Sequence, residues 1–186
     1  MSVPQISSDQ LQRAWQCAAI CDALIISEDW LRTFCYMPNW VDGIAMAKYD
    51  NGAGDNVVAF FSFDGKTVIK GFDHESKVSP HAREEYGVWP GLYDGLPSDL
   101  LGLLSDEAAE YQDVTFCCWS VDGKSWKTGS AVIPDDIDDG SAWLLRMIQM
   151  NAEQFIKWAK SYYEKDFDRI GESGILSVFK NGAPNC

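Results

Sequence analysis

GIAMAKYDNGAGDNVVAFFSFDGKTVIKGF, residues 43–72, decides the fold class. Ile44, Met46 and Lys48 alternate with Ala45, Ala47 and Tyr49, the period of a half-buried strand. Asp50-Asn51-Gly52-Ala53-Gly54-Asp55 is a run of turn-formers, and a β-branched and aromatic run from Val57 to Phe63 follows it. Asp64-Gly65 marks a hairpin that delivers a third strand over residues 67–72. Turns this short join antiparallel neighbours, whereas a parallel pair needs a crossover of about a dozen residues or more. The stretch therefore predicts a three-stranded antiparallel meander.

Downstream, residues 71–97 read GFDHESKVSPHAREEYGVWPGLYDGLP, with four glycines and three prolines among charges and large rings. A connection so dense in turn-formers predicts a rigid crossover, and binding groups are commonly held on such loops. Ser98 or Asp99 then caps a helix through Leu100, Leu101, Leu103 and Leu104 toward Tyr111. Residues 114–121 predict a strand, Asp122-Gly123 a hairpin turn, and residues 125–129 a return strand carrying Trp126. An acidic linker, PDDIDDG at 134–140, precedes Ser141, which caps a helix with one apolar stripe, Leu144, Met147, Ile148, Phe155, Ala159 and Tyr162, to about residue 163. The short apolar run from Ile175 to Phe179 predicts a last strand, and the end, residues 181–186, a mobile tail.

Upstream, Ser7 or Ser8 caps a helix over residues 8–26, with Gln10 as capping-box partner and Leu11, Trp15, Ala18, Ala19 and Leu24 as its apolar positions. Residues 28–36 hold Trp30, Leu31 and Phe34 ahead of Pro38, expected to stop the segment; helix and strand both stay open there. The whole reads as one α+β domain over residues 1–186. An antiparallel sheet of five or six strands packs against N-terminal, middle and C-terminal helices.

With 46% hydrophobic and 23% charged residues, the 186-residue chain is globular in composition. Its 28 acidic residues against 15 basic ones leave a net charge of -13, a field that repels nucleic acid and anionic membranes and suits a cationic partner. Such a charge also simply keeps a protein dissolved. Six cysteines lack C-x-x-C spacing, and the start, MSVPQISSDQLQRAW, has no basic and apolar leader. A reducing, cytoplasmic setting is expected. No apolar run reaches the roughly 20 residues that span a bilayer, so no membrane association is expected.

Asp73, His74 and Glu75, with His81 nearby, are the residue types of proton transfer or metal ligation. On an extended segment alternation turns Asp73 and Glu75 one way and His74 the other, which suits a hydrogen-bonding cluster that fixes the loop. Both readings stay open, and so do two roles for Trp89, a plug under the loop or a partner's anchor. Calcium-loop spacing fails: counted from Asp135, the third position is Ile137 and the twelfth Arg146. In residues 50–56 Asp55 stands where that loop needs glycine. Gly171-Glu172-Ser173-Gly174 lacks nucleophile-elbow spacing, and neither a phosphate-binding loop nor a dinucleotide fingerprint is present. No catalytic residue, metal or cofactor is assigned.

Several short strings then stand out together: Gly71-Phe72-Asp73-His74-Glu75-Ser76, Ser79-Pro80, Trp89-Pro90-Gly91, Gly95-Leu96-Pro97, Phe116-Cys117 with Trp119, and Asp139-Gly140-Ser141 before Trp143-Leu144-Leu145. Over about residues 43–163 the chain resembles an uncharacterised bacterial family often taken to be immunity proteins of polymorphic toxin systems. The resemblance implies a cytoplasmic, non-catalytic antidote that binds a cognate toxin protein and blocks it. Candidate contacts are Glu75, Glu84, Glu85, Asp135, Asp136, Asp138 and Asp139, with Trp89 and Tyr93 as aromatic anchors; each acidic residue also reads as part of a solvated face. The competing expectation is a small enzyme or ligand-binding domain with a pocket around Asp73, His74, Glu75, Trp89 and Tyr93.

Overall fold

The computed structural model describes residues 1–182. The chain opens with α1 (Ser8–Ile25), whose N-cap Ser7 accepts from the Gln10 backbone while the Gln10 side chain accepts from the Ser7 backbone. The predicted meander follows as part of six strands: β1 (Phe34–Val41), β2 (Ile44–Asp50), β3 (Asn56–Ser62), β4 (Thr67–Phe72), β5 (Phe116–Ser120) and β6 (Lys127–Thr128). They lie side by side in chain order, each antiparallel to the next. The helices are α2 (Ser98–Leu104), α3 (Ser141–Ile148), α4 (Ala152–Tyr163) and α5 (Gly171–Asn181). This is an α+β arrangement, and no helix of the described residues is long and apolar enough to cross a membrane.

Because strand side chains alternate, the sheet has two covered faces. Ala45, Ala47, Tyr49, Val57, Ala59, Phe61, Ile69 and Cys118 face a large core with Leu11 and Trp15 of α1, Leu144 and Ile148 of α3, Phe155 of α4 and Ile175 of α5. Trp15 meets Phe61 edge-on at 6.4 Å. On the other side Met46, Val58, Phe60, Val68, Cys117 and Trp119 pack beneath Leu100 and Leu104 of α2. Adjacent Cys117 and Cys118 thus enter different cores, and the five described cysteines are free. Gly71 is required here: a Cβ would lie 2.1 Å from the ring of Phe116, its partner on β5.

Several boundaries depart from the sequence reading. Pro38 does not stop its segment; it lies inside β1, where the register shifts between Met37 and Val41. As the outer strand, β1 tolerates a missing N–H. The expected helix over residues 141–163 is two helices, because Asn151 and Gln154 form a capping box that starts α4 anew. The middle helix stops at Leu104, and a 3₁₀ turn at Glu107–Ala109 ends on Glu110 in the left-handed region, φ 49°. Residues 175–179 belong to α5 rather than to a strand: Ile175, Val178 and Phe179 recur at helical spacing and pack on the first core. The return strand shrinks to two residues, since Asp122 Oδ1 accepts from the Lys124 and Ser125 N–H groups and spends that stretch on a turn. Leu24 and Tyr162, placed on apolar stripes, are exposed, while Tyr163 is buried. Of the expected tail, Asn181 closes α5 and residues 183–186 lie outside the described residues.

Candidate functional site

The pairing of β3 with β4 sets Asn56 opposite Phe72, so the turn before β3 and the loop after β4 emerge together at one end of the sheet. The loop does not continue as a strand: the Ser76 N–H donates to the Asp73 carbonyl, closing a turn. Alternation therefore ends at Phe72, and three consecutive side chains take three directions. Asp73 Oδ2 accepts from Trp143 Nε1 on α3 at 2.9 Å, and its Oδ1 accepts from the Glu75 N–H at 3.0 Å. His74 turns to Asp55, with Nδ1 2.7 Å from Oδ1, and Glu75 is exposed, its Oε1 4.0 Å from His74 Nε2. The expected convergence of Asp73 and Glu75, with His74 opposite, is thus replaced by a pairing of His74 with Asp55. Burial alone would raise the Asp55 carboxyl, but hydrogen bonds from the His74 ring and backbone and from Asn51 hold it below the usual range. The same bond to Asp55 raises His74.

The loop is zipped to residues 129–140, far along the chain. Ser76 Oγ donates to the Asp138 carbonyl at 2.6 Å, Trp89 Nε1 to the Val132 carbonyl at 3.2 Å, and Ser130 Oγ to Asp94. Thr115 Oγ1 donates to the Asp139 carbonyl at 2.7 Å. Glycines allow this approach, since a Cβ on Gly129 would sit 2.0 Å from the Gly91 carbonyl oxygen. Val78, Leu92 and Val114 form a small buried cluster beneath, against which Val88, Trp89, Ile133 and Ile137 pack. Trp89 takes the expected place of a plug under the loop and keeps one side open. It packs on that cluster, and it lines an open groove of about 530 Å³ with Arg83, Pro90, Asp94, Ser130 and Val132. The Arg83 guanidinium stands 5.7 Å from the Trp89 ring centre and donates to the Gly87 and Val88 carbonyls.

Comparison with protein-family models, curated proteins and solved structures finds no match for this chain. The arrangement of its own side chains carries the functional argument.

Glu84, Glu85, Asp135, Asp136 and Asp138 are exposed around this lobe. Asp139 is not available there: it is buried, its Oδ1 accepts from the Ser141 N–H and hydroxyl, and its Oδ2 lies 3.3 Å from the Met1 ammonium. Tyr93 is committed to the interior, stacked on Tyr111 at 4.8 Å with its hydroxyl donating to the Tyr111 carbonyl, and burial raises its pKa. The groove beside Trp89 is lined by none of Asp73, His74, Glu75 or Tyr93. His81 joins a separate group, with Nε2 2.8 Å from Asp113 Oδ1, which the Tyr86 hydroxyl also reaches. Among the described residues neither histidine ring is bonded to a hydroxyl or thiol, the pairing that activates a nucleophile. The five described thiols are not activated either: burial pushes Cys21 up to about 12 and raises Cys17, Cys35, Cys117 and Cys118 as well.

Four residues to which the sequence reading gave no part in a site matter here: Asp55, Trp143, Asp113 and Lys70. Lys70 on β4 is fully buried, its Nζ donating to the Glu110 carbonyl at 3.1 Å. Its signal was available, since it shares the strand face of Val68, which alternation turns inward.

Proposed function

We propose that this chain is a non-catalytic, immunity-type protein that neutralises a basic bacterial toxin domain in the cytoplasm by covering it with the acidic lobe formed by residues 73–97 and 129–140. The observation that supports this reading is the joining of those two segments, which brings exposed Glu84 and Glu85 and exposed Asp135, Asp136 and Asp138 onto one loop-built lobe with a tryptophan-lined groove. On a chain of net charge -13, such a surface speeds encounter with a cationic partner and opposes binding to polyanions. Its glycine contacts and buried cluster hold the lobe in place before a partner arrives, which lowers the ordering cost of association.

The test is calorimetric titration against the protein encoded by the adjacent reading frame. The native chain is expected to form a complex that weakens as salt is raised. Asp135→Lys/Asp136→Lys/Asp138→Lys is expected to bind at least about ten-fold more weakly, given the several kcal/mol that like-charge contacts cost. Absence of binding by the native chain at low salt, or full affinity in the triple variant, overturns the reading.

A further inference from the structure

We propose that Asp55, Asp73 and His74 form a site for a single divalent transition-metal ion of the zinc type, a function distinct from partner binding and independent of it. The three come from two segments separated in sequence, the turn before β3 and the loop after β4, and the strand register that pairs Asn56 with Phe72 sets them side by side. Each offers one donor atom, and the three donors lie within 4.8 Å of one another. An ion about 2.1 Å from each donor would hold them about 3.4 Å apart in a tetrahedron, so the His74–Asp55 pair at 2.7 Å opens by roughly 0.7 Å and the widest separation, up to 4.8 Å, closes by up to roughly 1.4 Å, within the reach of side-chain rotation. The closest pair, His74 Nδ1 and Asp55 Oδ1 at 2.7 Å, shares a proton whose place a metal takes.

The surroundings have the form of a supporting layer. Asn51 Nδ2 donates to Asp55 Oδ2 at 2.7 Å, and Trp143 Nε1 and the Glu75 N–H hold the two Asp73 oxygens. Each of those oxygens keeps a second lone pair for an ion, and donors of this kind orient metal-binding carboxylates. Gly54, at φ 105°, lies against the imidazole, where a Cβ would stand 3.3 Å from His74 Cγ and press the ring by a few tenths of an ångström. The His74 side chain is 44% exposed, which leaves an entry path and room for water as a fourth ligand, while Glu75 Oε1 stands 4.0 Å from the other ring nitrogen, Nε2. Two carboxylates and an imidazole favour zinc over calcium, which takes about 6–8 oxygens. The spacings that mark metal sites within one segment miss this one, because its parts meet only across a strand pair.

Zinc chloride titrated calorimetrically into chelator-stripped full chain is expected to bind with one-to-one stoichiometry. Uptake is expected to vanish in His74→Ala, to weaken about ten-fold or more in Asp55→Asn, and to stay unchanged in His81→Ala, whose ring lies in the other histidine group. Circular dichroism confirms that the variants fold, and His74→Gln substitutes for the alanine variant should it not. Cobalt(II) in place of zinc is expected to show ligand-field bands without thiolate charge transfer. Absence of zinc uptake, uptake retained in both His74 variants, or a thiolate band overturns the proposal.

Discussion

The two faces of the sheet are covered by different means. On one, four helices lay down Leu11, Trp15, Leu144, Phe155 and Ile175, and a fully buried carboxylate of α1, Asp22, is tied to the backbone by the Phe34 N–H at 2.7 Å. On the other, the seven-residue α2, a 3₁₀ turn and loops make the cover, and it seals in Lys70, whose ammonium donates to a single carbonyl. A helix satisfies its own backbone, so a helical cover brings few polar groups to the sheet. An irregular cover must find partners for its carbonyls, and Glu110, held at φ 49°, finds Lys70. Chemistry gathers where regular structure ends: the Trp89 groove and the Asp55–His74 pair both sit on irregular chain.

The contrast makes graded predictions. The largest effect belongs to the helical face: Phe155→Ala is expected to destabilise by about 4 kcal/mol in urea unfolding, because truncating a fully buried ring leaves a cavity. A loss below about 1 kcal/mol would mean that this core is not tightly packed.

On the other face the sign reverses. Burial lowers the Lys70 pKa to about 8 from 10.5. Below pH 8 the folded protein carries the cost of a buried charge, roughly 3 kcal/mol at about 1.4 kcal/mol per pKa unit. Between about 8 and 10.5 the native state has released that proton while the unfolded chain still binds it, so this group's cost fades as pH rises. Lys70→Met removes one of two donors to the Glu110 carbonyl, which keeps the Asp113 N–H at 2.9 Å, a loss of at most about 1 kcal/mol, and is expected to gain about 2 kcal/mol net at pH 7. The gain over the native chain should shrink from pH 8 to 10; the buried thiols and tyrosines act alike in both proteins and drop out of the difference. A gap independent of pH would show that Lys70 is not held under strain.

Smaller effects follow from the junction between the two covers. Trp143→Phe removes the donor to Asp73 Oδ2 and is expected to cost about 1.5 kcal/mol, since the acceptor is charged. Smallest of all, Asp135→Lys/Asp136→Lys/Asp138→Lys is expected to shift stability by no more than about 0.5 kcal/mol per site, as the three side chains are exposed. A large loss there would place those aspartates in the architecture rather than on a free surface.

Legibility follows the same division. The meander was readable from alternation and turn residues, and α1 from Ser7 and Gln10, because strands and caps are local devices. The break before α4 was written in Asn151 and Gln154 but hidden under a continuous apolar stripe. Pro38 misleads because a strand's position in the sheet decides whether its N–H is needed, and position is not local. In the acidic run 135–139, four aspartates look alike, yet Asp139 turns inward because Ser141 at the start of α3 needs its carboxylate. The pairing of Asp55 with His74 lay beyond sequence because it depends on which residues face each other across β3 and β4.

Pro38 has one more consequence. A sheet that is not a barrel has two open ends, and each is a template on which further chains can add strands without limit. At one end β1 offers exposed Pro38, which has no N–H to give, and a register shift that bends the ladder. At the other, β6 is two residues long. A protein with 46% hydrophobic residues thereby carries its own stops against fibrous polymerisation, one chemical and one of length.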